Sequence, residues 1–542
     1  MDAFFKRENN YQLSEVNRMQ KMFEEGRLGR RDFLQGMVAT GLTITSAAMV
    51  IGSSRDAIAS TPKKGGLIRM AASQHGPDDT LDPLLWKETL GYTRGRVHYN
   101  SLLQFNDDFT VRPELAKSWE ANSNATEFTF ELQKGVTFHD GKTLTADDVV
   151  YSMQQHLGEN SVSIGRALVS MVKEWKKIDS HTVKAVLNSP NADLPVILGT
   201  FNFKIVQNNA YDNPNYFNQG IGTGPFVLDE LKPGVIHKAK RNPNYWREGP
   251  WLDEIHTFGI GDPVARVNAL VSGEVEMIAR LDRKAIPQIE AADHTQVVSE
   301  VSNRFTELVL DLNTSPGNNP DFVMAMKLLM PRKQMLRSIL KGDGALGNDH
   351  PVGPTYAMNC ESLSQRVQDL DKAKFHLKKS GITEATVDTS DAAVGGVDMC
   401  IFAQAEASKI GLDLQVNRNP SDGYWGAIYR KKPFFMSTWS PRPTGHMLLS
   451  TLGQSDAPYN ESHFKSDRLD QLLVESMAET DTNKRMEMFC EMEQIFSDGA
   501  GNIIPWHQSI VDGISTKVKG MPRVALNSLS GGEWPEFVWL DS

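Results

Sequence analysis

Positive charge is in short supply in this sequence. Its 542 residues carry 57 Lys and Arg against 67 Asp and Glu, a formal net charge of −10 and an isoelectric point near 5.8. A nucleic-acid partner needs a basic face, so that class of function is set aside. Cysteine is scarce too. Cys360, Cys400 and Cys490 are too few for a disulfide scaffold and lack the close Cys/His spacing of a zinc site. Three buried, inert thiols are the plain reading, with a Cys360–Cys400 bridge as the alternative. Long apolar runs are missing as well. The best of them, residues 37–52, is diluted by Thr40, Thr43, Thr45 and Ser46, and Arg55 follows it. A permanent membrane helix needs about 20 mostly apolar residues. Neither an internal repeat nor a low-complexity linker is present. What is left, 40% hydrophobic and 23% charged, can bury a large core divided over two or three domains.

The first sixty residues read as an address. A charged start, the weak apolar run and the small-residue site Ala57-Ile58-Ala59 form the three parts of a signal peptide, with cleavage expected before Ser60. Arg30-Arg31 followed by Asp32-Phe33-Leu34 resembles the twin-arginine signal. A chance arginine pair in an ordinary secretory signal is the rival reading. Residues 1–59 are therefore expected to be a twin-arginine-type signal, recognised by that export machinery, and the mature chain to be free in the periplasm.

The stretch "KGVTFHDGKTLTADDVVYSM" contains Gly-Lys-Thr soon after Gly135 and invites a phosphate-binding reading. A P-loop needs four residues between its glycines so that successive backbone N–H groups curl around a phosphate. Here five intervene, Val136 to Asp140. Asp140-Gly141 reads instead as a turn. Thr145 and Asp148 have capping-box spacing for a helix whose inner face is Val149, Val150 and Met153. Asp147 and Asp148 already occupy the favourable end of the helix dipole, which leaves Lys142 as a solvated turn residue. Elsewhere, strand patterns such as "LIRMAAS", "EFTFELQKG" and "LDLQVNRN" alternate with helical ones such as "DFVMAMKLLMPRKQMLRSIL", "LDKAKFHLKKSG" and residues 397–410. Strands interleaved with helices imply an α/β architecture, with mixed sheets covered by helices. No Gly-x-Ser-x-Gly, His-Glu-x-x-His or dinucleotide fingerprint is found, so neither an enzyme nor a cofactor is expected.

Taken in order, "LDP" at 81–83, "NSLLQF" at 100–105, the whole block at 113–153, "GTGPF" at 222–226, "RNPNYW" at 241–246 and "RVNALVSGEVEMI" at 266–278 carry a resemblance. The chain resembles the solute-binding component of the peptide/nickel/opine class of ABC importers, solute-binding protein family 5. The resemblance implies a two-lobed periplasmic binding protein clamshell. One lobe would comprise residues 60–106, 221–309 and 508–542, with an inserted subdomain at 107–220; the other would comprise residues 310–507. It also implies a monomer that closes about its hinge on a small-molecule or peptide ligand and delivers it to an inner-membrane ABC permease and ATPase complex.

In peptide-binding members, an aspartate after a tryptophan in the second lobe fixes the peptide's ammonium group. The matching segment here, residues 436–452, has no carboxylate, and Arg442 stands near the expected place. A guanidinium fork suits a carboxylate, phosphate or sulfate, so an anionic or opine-like group is expected there. A structural pairing of Arg442 with a neighbouring acid is the rival. Trp439, Trp425 and Tyr424 are candidate pocket walls, with core packing as their alternative. Trp506 fits either hinge packing or cleft lining, and His75 stands where the first lobe could reach the cleft. His446 prompts a nickel-chelate reading, but a lone histidine is weak ground for a metal. The other readings are a nickel-chelate or haem carrier and a sensing protein serving a chemoreceptor.

Overall fold

The structure, a computed structural model, describes residues 61–73 and 76–541. The expected export segment, residues 1–59, and His75 lie outside them.

A twelve-stranded mixed sheet runs through the molecule. Its main path is Asp413–Arg418, Glu384–Thr389, Phe434–Trp439, Thr295–Leu310, Trp506–Ser515, Met277–Ile278, Leu67–Ala72, Glu254–Gly259, Ile236–Arg241 and Phe226–Lys232. The two short strands Gly344–Leu346 and Asn502–Ile503 pair off this path. The pairs of Leu67–Ala72 with both neighbours are parallel, as are those of Glu384–Thr389. The two strands at the centre join the lobes. Thr295–Leu310 pairs with Trp506–Ser515 along its first part and with Phe434–Trp439 from Phe305 onward. Between Val301 and Arg304 the register slips. A bulge of this kind bends a strand and re-aims the side chains beside it. Ser302 Oγ fixes it, donating to the Gln508 carbonyl at 2.7 Å and accepting the Arg304 N–H at 3.1 Å.

Each part of the fold has its own apolar core. In the first lobe Ile68, Met70, Phe226, Ile255 and Trp534 pack together. In the second, helices Pro320–Leu329 and Gly396–Ile410 cover Val387, Phe434, Met436 and Trp506. A separate four-stranded antiparallel sheet, Ala116–Ala121, Glu127–Leu132, Thr182–Leu187 and Val172–Asp179, owes its core to strict alternation. Phe128, Phe130 and Leu132 all turn to one buried face.

Several local expectations are corrected. Cys360 is bonded to Cys490, not to Cys400, which is free and buried. The partner lies 130 residues away in sequence on helix Thr482–Gly499, so only the tertiary fold brings the two together. The helical stretch that begins at Phe322 divides into Pro320–Leu329 and Arg332–Ile339, because Pro331 cannot continue the first helix. The turn at Gly141 (φ 88°) leads into helix Ala146–Gln154 as expected, and Asp148 Oδ2 accepts both the N–H and the Oγ–H of Thr145. Lys142, however, is paired. Its Nζ lies 2.8 Å from Oδ1 of the buried Asp148, so the lysine, exposed as expected, also anchors the helix start.

Candidate functional site

A cavity of about 840 Å³ opens where the two lobes meet the bulged strand. From the first lobe it takes Tyr92 and Phe201, whose rings stack 3.9 Å apart, and residues 280–283, which follow strand Met277–Ile278. From the second it takes Val394 and residues 440–443, which follow strand Phe434–Trp439. Arg304 and Gln508 come from the two central strands themselves. Its wall combines the aromatic pair with apolar side chains such as Leu168, Val394 and Ile510 and with four arginines, Arg280, Arg283, Arg304 and Arg442.

Each arginine is held differently. Arg283 donates to the Ser509 carbonyl at 2.8 Å and lies 3.2 Å from Asp343. The Arg280 guanidinium stands 3.9 Å from Glu88. Arg304 donates to Ser440 Oγ at 3.0 Å. Arg442 has its backbone clasped by Tyr356, whose hydroxyl accepts its N–H at 2.9 Å and donates to its carbonyl at 2.8 Å. Its guanidinium lies 5.4 Å over the Trp439 ring, a cation–π contact. Among the described residues, neither Arg304 nor Arg442 pairs with a carboxylate. Burial, with Arg280 and Arg283 nearby, pulls the Arg304 pKa below its usual value.

Behind Trp439 lies a pair of buried acids. Trp439 Nε1 donates to Glu461 Oε1 at 3.2 Å, as do the hydroxyls of Ser437, at 2.9 Å, and Tyr429. Burial raises the pKa of both Glu461 and Glu307, and for Glu307 the neighbouring Glu461 adds to it. Glu307 Oε1 and Glu461 Oε2 are buried and meet no donor, an arrangement that one shared proton satisfies. Trp439 is therefore a fixed platform under Arg442 rather than an open cleft wall.

The other expected pocket residues lie elsewhere. Tyr424 is buried in the second lobe's core, its hydroxyl donating to the Met436 carbonyl at 2.8 Å. Trp506 is fully buried in the same core. Trp425 is 42% exposed but packs edge-on to Tyr424 and Tyr429, away from the cavity. Tyr424 and Trp506 pack in the core and Trp425 stands on the surface, because the strands and the short helix Tyr424–Ala427 turn them from the cleft. His446 is also buried, its ring nitrogen bonded to the Leu473 carbonyl at 2.8 Å. Sequence reading missed Arg280, Arg283 and Arg304. A bulge aims Arg304, and nothing in the letters around it marks one. A second cavity of about 610 Å³ beside the disulfide is lined by Asp107, Asp108 and Glu361 without a cation, and draws only on the segments around the disulfide and residues 107–108.

The family model described as "Bacterial extracellular solute-binding proteins, family 5 Middle" matches residues 110–459. Heme-binding protein A of Haemophilus influenzae is 24% identical over 465 residues, covering 78% of this chain and 84% of that protein. The probable D,D-dipeptide-binding periplasmic protein DdpA of Escherichia coli is 25% identical over 488 residues, covering 85% and 92%. Among solved structures, AgaA from A. tumefaciens R10 in complex with agropinic acid superposes with a TM-score of 0.66 at 22% identity, covering 88% of this chain and 99% of that one. With the family model spanning well over half of its length, the chain belongs to family 5 of the bacterial extracellular solute-binding proteins.

Proposed function

We propose that this chain is the receptor of an ABC importer, exported to the periplasm by the twin-arginine route and acting as a monomer. It encloses a small peptide-like or carboxylated, opine-like solute between its lobes and presents the closed form to the membrane permease and its ATPase. The observation that carries this reading is Arg442: a guanidinium without a carboxylate partner, fixed on Trp439 at the wall of the interlobe cavity. A free peptide ammonium would be repelled there, whereas a carboxylate would be bound by a charge-assisted fork. The Cys360–Cys490 bond suits an oxidising compartment such as the periplasm. No helix among the described residues is long and apolar enough to cross a membrane.

Mass spectrometry of the compound released on gentle unfolding identifies the solute, and calorimetric titration of that compound into Arg442→Ala measures the role of the guanidinium. A loss of roughly 2–4 kcal/mol is expected for one buried charge-assisted contact. Unchanged affinity would remove Arg442 from the site. An unrelated protein contaminant as the only co-purifying species, with no solute bound from any peptide or opine offered, would overturn the receptor reading.

A further inference from the structure

Resting on the receptor reading, we propose that the solute carries at least two separate negative groups, one for Arg442 on the second lobe and one for Arg304 with Arg280 and Arg283 near it on the first.

Charge counting around the cavity leads there. Among the described residues, four guanidinium groups line it against one carboxylate, Asp282. That carboxylate is exposed and engaged locally, accepting the Lys284 N–H at 3.0 Å to start the short helix Arg283–Ala285. Asp343 answers Arg283, and Glu88 stands at the margin of reach of Arg280. Among the described residues, Arg304 and Arg442 are left without a counter-charge. A half-buried guanidinium held in one place and unpaired is costly, and protein interiors tolerate it where a ligand supplies the partner. One carboxylate on the solute would answer one of the two. A neutral or singly charged solute would leave the other facing like charge.

The backbone supports the same reading. Arg304 follows directly on the bulge, and its N–H is tied to Ser302 Oγ, so the side chain's direction is built into the central strand. Arg280 sits at φ 56°, a left-handed conformation uncommon away from glycine. Its N–H donates to Oδ1 of the buried Asp512 at 2.8 Å, and its carbonyl accepts from Arg266 at 3.4 Å. A strained residue pinned from both sides marks a position the fold holds on purpose. Burial lowers the Arg304 pKa and Arg280 and Arg283 lower it further, the signature of like charges converging on one space. The consequence is a charge-operated closure. A solute with one anionic group for Arg442 and another for the arginines of the first lobe bridges the two, so its binding favours the closed form.

The test uses the full chain and three dipeptides of one backbone, Ala-Ala, Ala-Glu and Glu-Glu, with one, two and three carboxylates, together with citrate, all at matched ionic strength. Calorimetric titration is expected to show Glu-Glu binding at least tenfold tighter than Ala-Ala. Arg304→Gln and Arg442→Gln should each remove most of that preference, while the melting temperature of the ligand-free chain stays level or rises as repulsion is relieved. Equal binding of Ala-Ala and Glu-Glu, or an unchanged Glu-Glu affinity in Arg304→Gln, would overturn the proposal. Tight binding of Ala-Ala alone would overturn it and leave the receptor reading standing. If none of the four binds, the compound that co-purifies decides: two or more acid groups on it uphold the proposal, and fewer overturn it. No bound or co-purifying solute at all would remove both.

Discussion

Glu461 accepts three hydrogen bonds from Tyr429, Ser437 and Trp439 while standing beside a second buried acid, Glu307. Both folded-state pKa values lie above the ordinary glutamate value. For a raised pKa the stabilising contribution is present below the unfolded value, about 4.3, and is lost as pH rises through the folded one. Glu461→Gln keeps a carbonyl oxygen for the three donors and offers an N–H to Glu307, so no second carboxyl has to be neutralised. Urea unfolding at pH 8 should find the variant about 1–2 kcal/mol more stable than the natural chain, with the gap closing toward pH 5. A variant less stable at pH 8 would show that the two acids do not share a proton. This pair was invisible in the sequence, since Glu307 and Glu461 are remote and each looks like a surface residue. Aromatics were misleading for a related reason. Tyr424 and Trp506 sit in segments whose composition suits a pocket wall and a core equally, and only burial separates the two. Arg442 could be singled out because its segment lacks any carboxylate, which is a property of the letters themselves.

Elements were far more legible than side-chain destinations. Strands Leu67–Ala72, Glu127–Leu132 and Asp413–Arg418 and helices Ala146–Gln154 and Gly396–Ile410 stand where periodicity and capping put them, because those signals act over neighbouring residues. The bulge before Arg304 depends instead on which strands flank it, and so left no local trace. The same holds for the bridge from Cys360 to helix Thr482–Gly499. It closes a long loop, for which chain entropy alone gives a stabilisation of about 4–5 kcal/mol. Replacing both cysteines by alanine is expected to lower the unfolding free energy by about 2–5 kcal/mol in urea. Reducing agent should then weaken only the natural chain. A loss below about 1 kcal/mol would mean that the packing around helix Thr482–Gly499 already fixes the loop.

At the scale of the whole molecule, the four-stranded subdomain is tied to the second lobe as well as to the first. Arg485 Nη2 lies 2.6 Å from Oδ1 of the buried Asp193, and the Ala192 N–H donates to the Met477 carbonyl at 2.9 Å. Burial alone would raise the Asp193 pKa, but Arg485, helped by His446, holds it below the usual range. Removing the arginine leaves a buried charge unanswered, a loss of about 3–5 kcal/mol at such sites. Arg485→Met should therefore part the subdomain from the second lobe. Hydrogen exchange should accelerate in helices Leu194–Leu198 and Asp467–Ala478 and stay slow in strand Phe434–Trp439. Uniform acceleration would show instead that the contact supports the entire fold.

The sheet's path has one further implication, for biosynthesis. Thr295–Leu310 sits between Phe434–Trp439 and Trp506–Ser515, and Met277–Ile278 also leans on the latter strand. A nascent chain therefore cannot finish either lobe until nearly its last residues have left the ribosome, and the early segments must wait with open strand edges that invite wrong partners. A chain arrested before residue 506 should remain protease-sensitive along Thr295–Leu310, and one released at full length should gain protection there in a single late step.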